Sequence, residues 1–347
     1  MKPSDQGLYV HAIIPNYYPA EKFRELGNFN ITFIPYEKIS AIVSKNNVVD
    51  YKQLEAKALA RLLVEHQKKI ESMMNAGINT IIPMKLGTVV NDAAEMIKIL
   101  EKGYDLIINV MENIGNLIEM EIIATWADFN QVLLDISANP QIIELKTKIG
   151  SGRKVTQSDQ LSAGYLVKKI LDVSAKEHTS RIIEALGSIC KSYRQHEIVD
   201  DHMVCNTAFL LNQNKRDLFE MTLDKLDSEM NGKINFKLVG PLPCYSFYTL
   251  EVKELHYSEI EEAKKELGLS SLTSERNVKQ AYLDKVKLVH PDRNGNNDSA
   301  AVFNKINRAY RTMLDYITAV KPTTRETQFS LMTEAVAENS FLLRIIE

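Results

Sequence analysis

Cysteine is scarce in this chain of 347 residues: Cys190, Cys205 and Cys244 are the three, far apart and odd in number. With no C-x-x-C pair they lack zinc-site spacing and argue against a disulfide framework, and they fit the reduced, buried thiols of a cytoplasmic protein. An excess of charge of one sign is lacking too. Lys and Arg number 42 against 45 Asp and Glu, a formal net charge of −3. That balance, without a basic tract interleaved with aromatics, argues against nucleic-acid binding. No apolar run approaches the roughly 20 residues of a membrane span. Met1–Asp5 lead straight into a strand-like segment rather than a signal peptide. Internal repeats and low-complexity tracts are also missing. What remains is 45% hydrophobic and 25% charged, an ordinary globular composition, in a chain long enough for two or three domains.

Periodicity and punctuation divide the chain into four parts. Residues 1–116 predict an α+β domain. Its strands are 8–14 (stopped by Pro15), 31–34, 39–43 and 79–83. One helix runs over 51–74, with Leu54, Leu62, Leu63, His66, Ile70 and Met73 on its core face, and a second, capped by Asn91 or Asp92, carries Met96, Ile97, Leu100, Tyr104, Ile107, Ile108 and Met111. Residues 117–252 predict a second α+β domain. Strand 119–126 leads to a long helix over about 159–194, with Leu161, Tyr165, Leu166, Ile170, Ile182, Ile183, Leu186, Ile189 and Tyr193 at helical spacing. Strand 204–211, helix 214–230, strand 234–239 and a last strand 245–252 follow. Four strands with helices on one face predict a ferredoxin-like sheet. The fold class is therefore α+β: two α+β domains, then a small all-helical domain over 253–320 and an apolar C-terminal tail over 321–347.

The helical third part carries the most informative tripeptide, His290-Pro291-Asp292. Before it, Val278, Tyr282, Val286 and Val289 form an apolar stripe; after it, Phe303, Ile306, Tyr310, Met313 and Leu314 form another. A shorter helix carrying Tyr257, Ile260, Ala263, Lys264 and Leu267 precedes them and ends at Gly268. At about 100° per residue, Arg276, Lys279, Leu283, Lys287 and His290 share one face opposite the first stripe. Three cations leading to a loop suit an acidic partner, and Pro291 ends the helix. These residues, with Phe303-Asn304-Lys305-Ile306-Asn307-Arg308-Ala309-Tyr310, resemble a J-domain, the DnaJ-type module, over 255–320. The resemblance implies a DnaK-type chaperone as partner. His290, Pro291, Asp292, Arg276, Lys279, Leu283 and Lys287 would be its contact residues. Leu283 and Asp284 stand where such modules usually carry basic residues, and Lys285 stands where Leu is usual.

A second set of landmarks covers 7–252. Gly7-Leu8-Tyr9-Val10-His11-Ala12-Ile13, His66, Pro83-Met84-Lys85-Leu86-Gly87-Thr88-Val89, Gly164-Tyr165-Leu166, Asn206-Thr207-Ala208-Phe209-Leu210-Leu211 and Gly240-Pro241-Leu242-Pro243-Cys244-Tyr245-Ser246-Phe247 resemble, in order, the landmarks of the gas vesicle GvpF/GvpL family. Lys85 stands in place of Arg, and Leu242 and Cys244 where Trp and Pro are common. The resemblance implies a two-domain, non-enzymatic accessory protein in the cytoplasm, in contact with the gas vesicle shell protein GvpA and other gas vesicle accessory proteins. Pro83, Lys85, Gly87, Thr88, Gly240, Pro241, Pro243, Tyr245 and Phe247 are its structural or partner-contact residues.

Several motifs invite sharper chemistry. Lys85 and Thr88 around Gly87 could form an anion site, but a turn whose Gly supplies an unusual dihedral is the better reading. Gly150-Ser151-Gly152-Arg153-Lys154 fails the P-loop pattern and reads as a loop. His66 reads as a satisfied core or domain-interface histidine, since no second His or Cys lies at metal spacing. Gly240-Pro241-Leu242-Pro243 reads as a rigid turn fixing register. No nucleophile elbow is present. The expected function is therefore an adaptor that binds GvpA and other assembly factors and recruits a DnaK-type chaperone, with no enzyme activity, metal or cofactor. The alternative is a minor structural component of the shell, with the J-like segment serving only as an interaction domain. Residues 1–252 are expected to fold alone unless the apolar tail covers a groove or sheet edge of an earlier domain.

Overall fold

A computed structural model describes residues 6–18, 30–47, 55–149, 155–289, 297–320, 328–338 and 341–346. The expected first turn at 51–54, the loop 150–154 and the segment 290–296 lie outside the described residues.

The apolar run at the start of the chain becomes β1 (Gln6–Pro15), the centre of an antiparallel sheet. β3 (Ile39–Asn47) pairs on one side, with β2 (Thr32–Tyr36) beyond it; short β4 (Ile82–Pro83) and β5 (Val89–Val90) pair on the other. β1 is buried on both faces, which is why it reads as a continuous apolar run rather than an alternation. Ala12 and Ile14 meet Ile70 and Met73 of α1 (Ala56–Asn75); Val10 and Ile13 meet Ile99 and Leu100 of α2 (Ala93–Ile114). The Asp92 side chain caps α2, accepting from the Glu95 N–H at 2.9 Å. Leu63 and Ile97, both expected on core faces, are exposed.

The second unit contains β6 (Leu117–Trp126), α3 (Phe129–Ser137), α4 (Pro140–Ile149), α5 (Gln157–Gly187), β7 (Ser192–Gln195), β8 (Met203–Asn212), α6 (Arg216–Glu229) and β9 (Ile234–Leu242). Its sheet order, β7-β8-β6-β9, with every pair antiparallel, is the ferredoxin-like β-α-β-β-α-β arrangement. The strands differ from expectation. The edge strand is 192–195, not 245–252: α5 stops at Gly187, and the Lys191 N–H already donates to the Leu210 carbonyl at 2.7 Å. Tyr193 thus belongs to a strand although its spacing continued the helical period. Leu161 and Tyr165 are exposed. At about 1.5 Å per residue α5 is longer than the strands beneath it, so its first turns overhang the sheet. α3 and α4 escaped the sequence reading because each buries one side chain, Ile136 and Ile142, too thin a stripe to show a period.

β10 (Thr249–Glu254) leaves the second unit. Leu250 bridges to Met84 in parallel and enters the N-terminal core, and β10 pairs antiparallel with β13 (Phe341–Ile346). The third unit packs α7 (Tyr257–Leu267), α8 (Glu275–Val289) and α9 (Asn297–Val320) around Ile260, Leu267, Val278, Ile306, Met313 and Tyr316. α7 ends at Gly268, which adopts φ 72° as a left-handed C-cap. β11 (Leu272–Thr273) pairs with β12 (Phe329–Ser330), followed by α10 (Thr333–Glu338). The apolar tail is therefore built into the structure. Successive residues of β13 point opposite ways: Leu342 joins the helical core, while Phe341, Leu343 and Ile345 pack on the N-terminal core.

Candidate partner-binding surfaces

The J-like helices place their face as the wheel requires. Val278 is fully buried, and Tyr282 stacks on Tyr310 with ring centroids 4.1 Å apart, its hydroxyl donating to Asn307 at 2.7 Å. Opposite, Arg276, Lys279, Leu283 and Lys287 are exposed together on α8. Asp284 accepts from the Gln280 amide at 2.9 Å and lies 3.6 Å from Lys287, drawing part of the positive field off this face. His290, Pro291 and Asp292 follow the last residue of α8 and lie outside the described residues.

The stretch around Gly87 is a tight turn. Gly87 has φ 87°, the Thr88 hydroxyl donates to the Lys85 carbonyl at 2.7 Å, and the Gly87 N–H donates to the Tyr9 hydroxyl at 3.2 Å. That hydroxyl also lies 3.0 Å from His66 Nδ1, so His66 is a satisfied core histidine. Pro83 is buried in β4. The Lys85 ammonium is engaged by Glu251, and the Lys85 backbone N–H donates to the Leu250 carbonyl at 2.9 Å. This pairing fits the turn reading better than an anion site.

Residues 240–247 connect the second sheet to β10. Gly240 has φ 139°; a Cβ there would lie 2.8 Å from Met120 Sδ and 2.9 Å from the Glu119 carbonyl oxygen, so the chain crosses where only glycine fits. The Gly240–Pro241 bond is cis, and Leu242 pairs with Glu119. The Pro243 carbonyl accepts from the Tyr245 N–H at 2.6 Å. Ser246 donates to the Glu119 carboxylate twice, N–H to Oε2 at 2.8 Å and hydroxyl to Oε1 at 2.7 Å. Burial pushes the Glu119 carboxyl up to about 7 against those hydrogen bonds. Phe247 is buried under the Arg194 guanidinium, 5.2 Å from its ring centre. Burial also raises the Tyr245 hydroxyl. The two family stretches meet here, because β10 begins just after the second and contacts the first through Leu250 and Glu251.

Sequence reasoning missed Glu119, Glu251, Asp315 and Arg344. One of them carried a signal: Arg344 is the single charge in the otherwise apolar strand β13, whereas Glu119 shares β6 with Glu121 and Glu251 shares β10 with Lys253 and Glu254; a charge in an apolar strand is retained when paired. A groove of about 840 Å³ runs between α5 and residues 193–207, walled by Leu171, Ile183, Tyr193 and Ile198. Among the described residues no three His, Cys, Asp or Glu side chains cluster as metal ligands would, and no helix is long and apolar enough to cross a membrane.

A two-unit α+β body with a J-type helical module at its C-terminal side is the class these features define. The family model for gas vesicle synthesis protein GvpL/GvpF matches residues 7–249, and the chain belongs to that family. The DnaJ domain model matches residues 265–317. Gas vesicle protein F of Nostoc sp. (strain PCC 7120) is 20% identical over 243 residues, 70% of this chain and 97% of the relative. Gas vesicle protein F of Dolichospermum flosaquae is 20% identical over 249 residues, 70% and 98%. Two crystal structures share the fold. GvpF from Anabaena sp. PCC7120 has a TM-score of 0.56 at 17% identity, covering 70% of this chain and 97% of that one. GvpF from Microcystis aeruginosa has a TM-score of 0.55 at 17% identity, covering 70% and 99%. The chain is thus a GvpF-like gas vesicle protein that carries a J-domain.

Proposed function

We propose that this chain is an adaptor for gas vesicle assembly in the cytoplasm. The GvpF-like body binds the shell protein GvpA or other accessory proteins, and the J-domain recruits a DnaK-type chaperone to them. The observation that carries this reading is the joining of both modules in one packed chain, with the face of α8 left exposed. Tethering a chaperone beside its client raises the effective concentration without any new contact. In this reading the adaptor is not an enzyme; the ATP hydrolysis is the chaperone's. The exposed cations of α8 give the encounter a long-range attraction, and His290-Pro291-Asp292 delivers the stimulus. The test is chaperone ATPase stimulation together with pull-down of GvpA. The wild-type chain should do both. His290→Gln should lose stimulation while keeping the pull-down and the helical content, and equal stimulation by the two would overturn the reading.

The Asp284–Lys287 pairing and the apolar Leu283 favour a second reading, a shell component whose J-like segment only binds. A near-constant ratio to shell protein in purified vesicles would mark that case.

A further inference from the structure

A continuous chain of ion pairs crosses from the GvpF-like body to the J-domain. Glu251 on β10 holds Lys85 of the body and, 2.6 Å away, Nε of Arg344 on β13. Nη1 of the same guanidinium lies 3.2 Å from Asp315 on α9, and Asp315 receives Lys253 Nζ at 2.5 Å through its other oxygen. The side chains of Glu251 and Asp315 are 11% and 16% exposed, so the two anions at the centre are screened less than surface pairs. Burial pushes the Glu251 carboxyl up, but Lys85 and Arg344 outweigh it and hold it below its ordinary range. Arg344 can bridge two carboxylates because its guanidinium presents several donors in a rigid plane. Around this network β13 pairs with β10 from Thr249↔Ile346 to Glu254↔Phe341. The strand lays Leu343 on α2, where a Cβ at Gly103 would lie 2.4 Å from Leu343 Cδ2.

We infer that Glu251, Asp315 and Arg344 are positioning residues: they fix the direction in which the J-domain faces the GvpF-like body, so that a chaperone docked on α8 meets one side of that body. The inference rests on the adaptor reading for its functional half. Glu251, Lys253 and Arg344 lie outside both matched ranges, 7–249 and 265–317, so neither module alone brings the whole clamp with it. α9 packs against both α8 and β13, while Arg276, Lys279, Leu283 and Lys287 stay exposed. The clamp therefore leaves the docking face open. A J-domain on a loose linker would sample many directions and deliver the chaperone at an averaged concentration. A clamped one concentrates it at a single place.

The experiment measures the distance between spin labels at Lys98→Cys on α2 and Lys265→Cys on α7 in the full chain, with Cys190→Ser to remove the partly exposed native thiol. The clamped chain should give one narrow distribution. Asp315→Asn with Arg344→Gln should broaden it, and Arg344→Lys, which keeps the charge without the planar fork, should fall between. A distribution that stays narrow in the double variant overturns the positioning role. In the unlabelled chain the double variant should stimulate the chaperone ATPase as the wild type does, while the chaperone-dependent soluble yield of co-expressed GvpA falls about tenfold, a partial loss of the gain that effective concentration supplies. An unchanged yield overturns the delivery claim. A wild-type chain that fails to stimulate the chaperone sinks the adaptor reading and the delivery claim with it, while the distance measurement still decides the clamp. If the double variant loses helical content, Arg344→Lys carries the test, and a distribution as narrow as the wild type's counts against the inference.

Discussion

The two α+β units of the body complete their cores in opposite ways. The ferredoxin-like unit takes its four strands from one continuous stretch, 117–242. The N-terminal unit packs residues of its own first 114 positions against Leu250 of β10 and Phe341, Leu343 and Ile345 of β13. One unit is local in sequence; the other draws part of its core from residues more than a hundred positions away. A boundary in the chain is therefore a poor guide to where cooperativity stops, and an independent unit is defined by where its apolar surface is covered.

Truncation tests the contrast most severely. A fragment ending after Val252 keeps the first four residues of β10 but loses β13 and every helix of the J-domain. The N-terminal core is then uncovered at Leu250, while the ferredoxin-like sheet keeps all its strands. Limited proteolysis of the fragment should cut first within 6–114 and spare 117–242. Equal protection of both stretches would show that the N-terminal unit closes by itself.

Acid should separate the two units next. Burial, with Lys69 and His66 adding to it, holds His11 down at about 2, and burial holds His66 at about 4, both against an ordinary value of 6.5. The unfolded chain then binds more protons, so the N-terminal unit loses stability as pH falls from 6.5, by several kcal/mol on the order-of-magnitude scale of about 1.4 per pKa unit. Glu119 in the ferredoxin-like sheet has the opposite sign. Its folded value, about 7 against 4.5, means that its contribution is complete below 4.5 and lost as pH rises through 7. On lowering the pH, hydrogen exchange should open the N-terminal strands before β6 and β8. Glu119→Gln should stabilise the chain relative to wild type increasingly between pH 4.5 and 7. A gain that is flat with pH would show that Glu119 is ionised throughout.

Glycine substitutions give the smallest effects and the most local ones. Gly240→Ala strains a φ of 139° and presses on the Glu119 backbone, so it should cost about 1–3 kcal/mol in the ferredoxin-like unit. Gly103→Val displaces Leu343, a movable side chain, and should cost a similar or smaller amount in the N-terminal unit while loosening β13. Thermal unfolding with exchange protection resolved by residue separates them; if both variants destabilise the same strands, the units are one cooperative block.

Much of this architecture was legible in the sequence because it is local. α7 with its Gly268 cap, the Asp92 cap of α2, and the buried runs of β1 and β8 each follow from a few neighbouring residues. The ferredoxin-like arrangement was legible although one strand was misplaced: β7 has four residues and follows a helix whose period runs on through Tyr193, so nothing local announces it. The destination of β10 was not legible. Pairing with β13 depends on contacts across nearly a hundred residues, and an apolar strand reads the same whichever sheet receives it. The candidate contact residues divide the same way. The α8 face follows from helical spacing alone, whereas the link from Lys85 to Asp315 passes through charges, Glu251 and Arg344, that acquire meaning once the strands are paired.

The two-sided strand β13 also sets a timetable. Leu342 and Leu343 are neighbours in sequence but complete different cores, and both are made after all of β1 to α9. On a ribosome adding about 5–20 residues per second, the ferredoxin-like unit has its whole sequence in hand while the N-terminal unit waits, its apolar surface open, until residues 341–346 emerge. For that interval the nascent chain presents open apolar surface of the kind that invites aggregation, and its J-domain, matched over 265–317, emerges just before the strand that ends the wait.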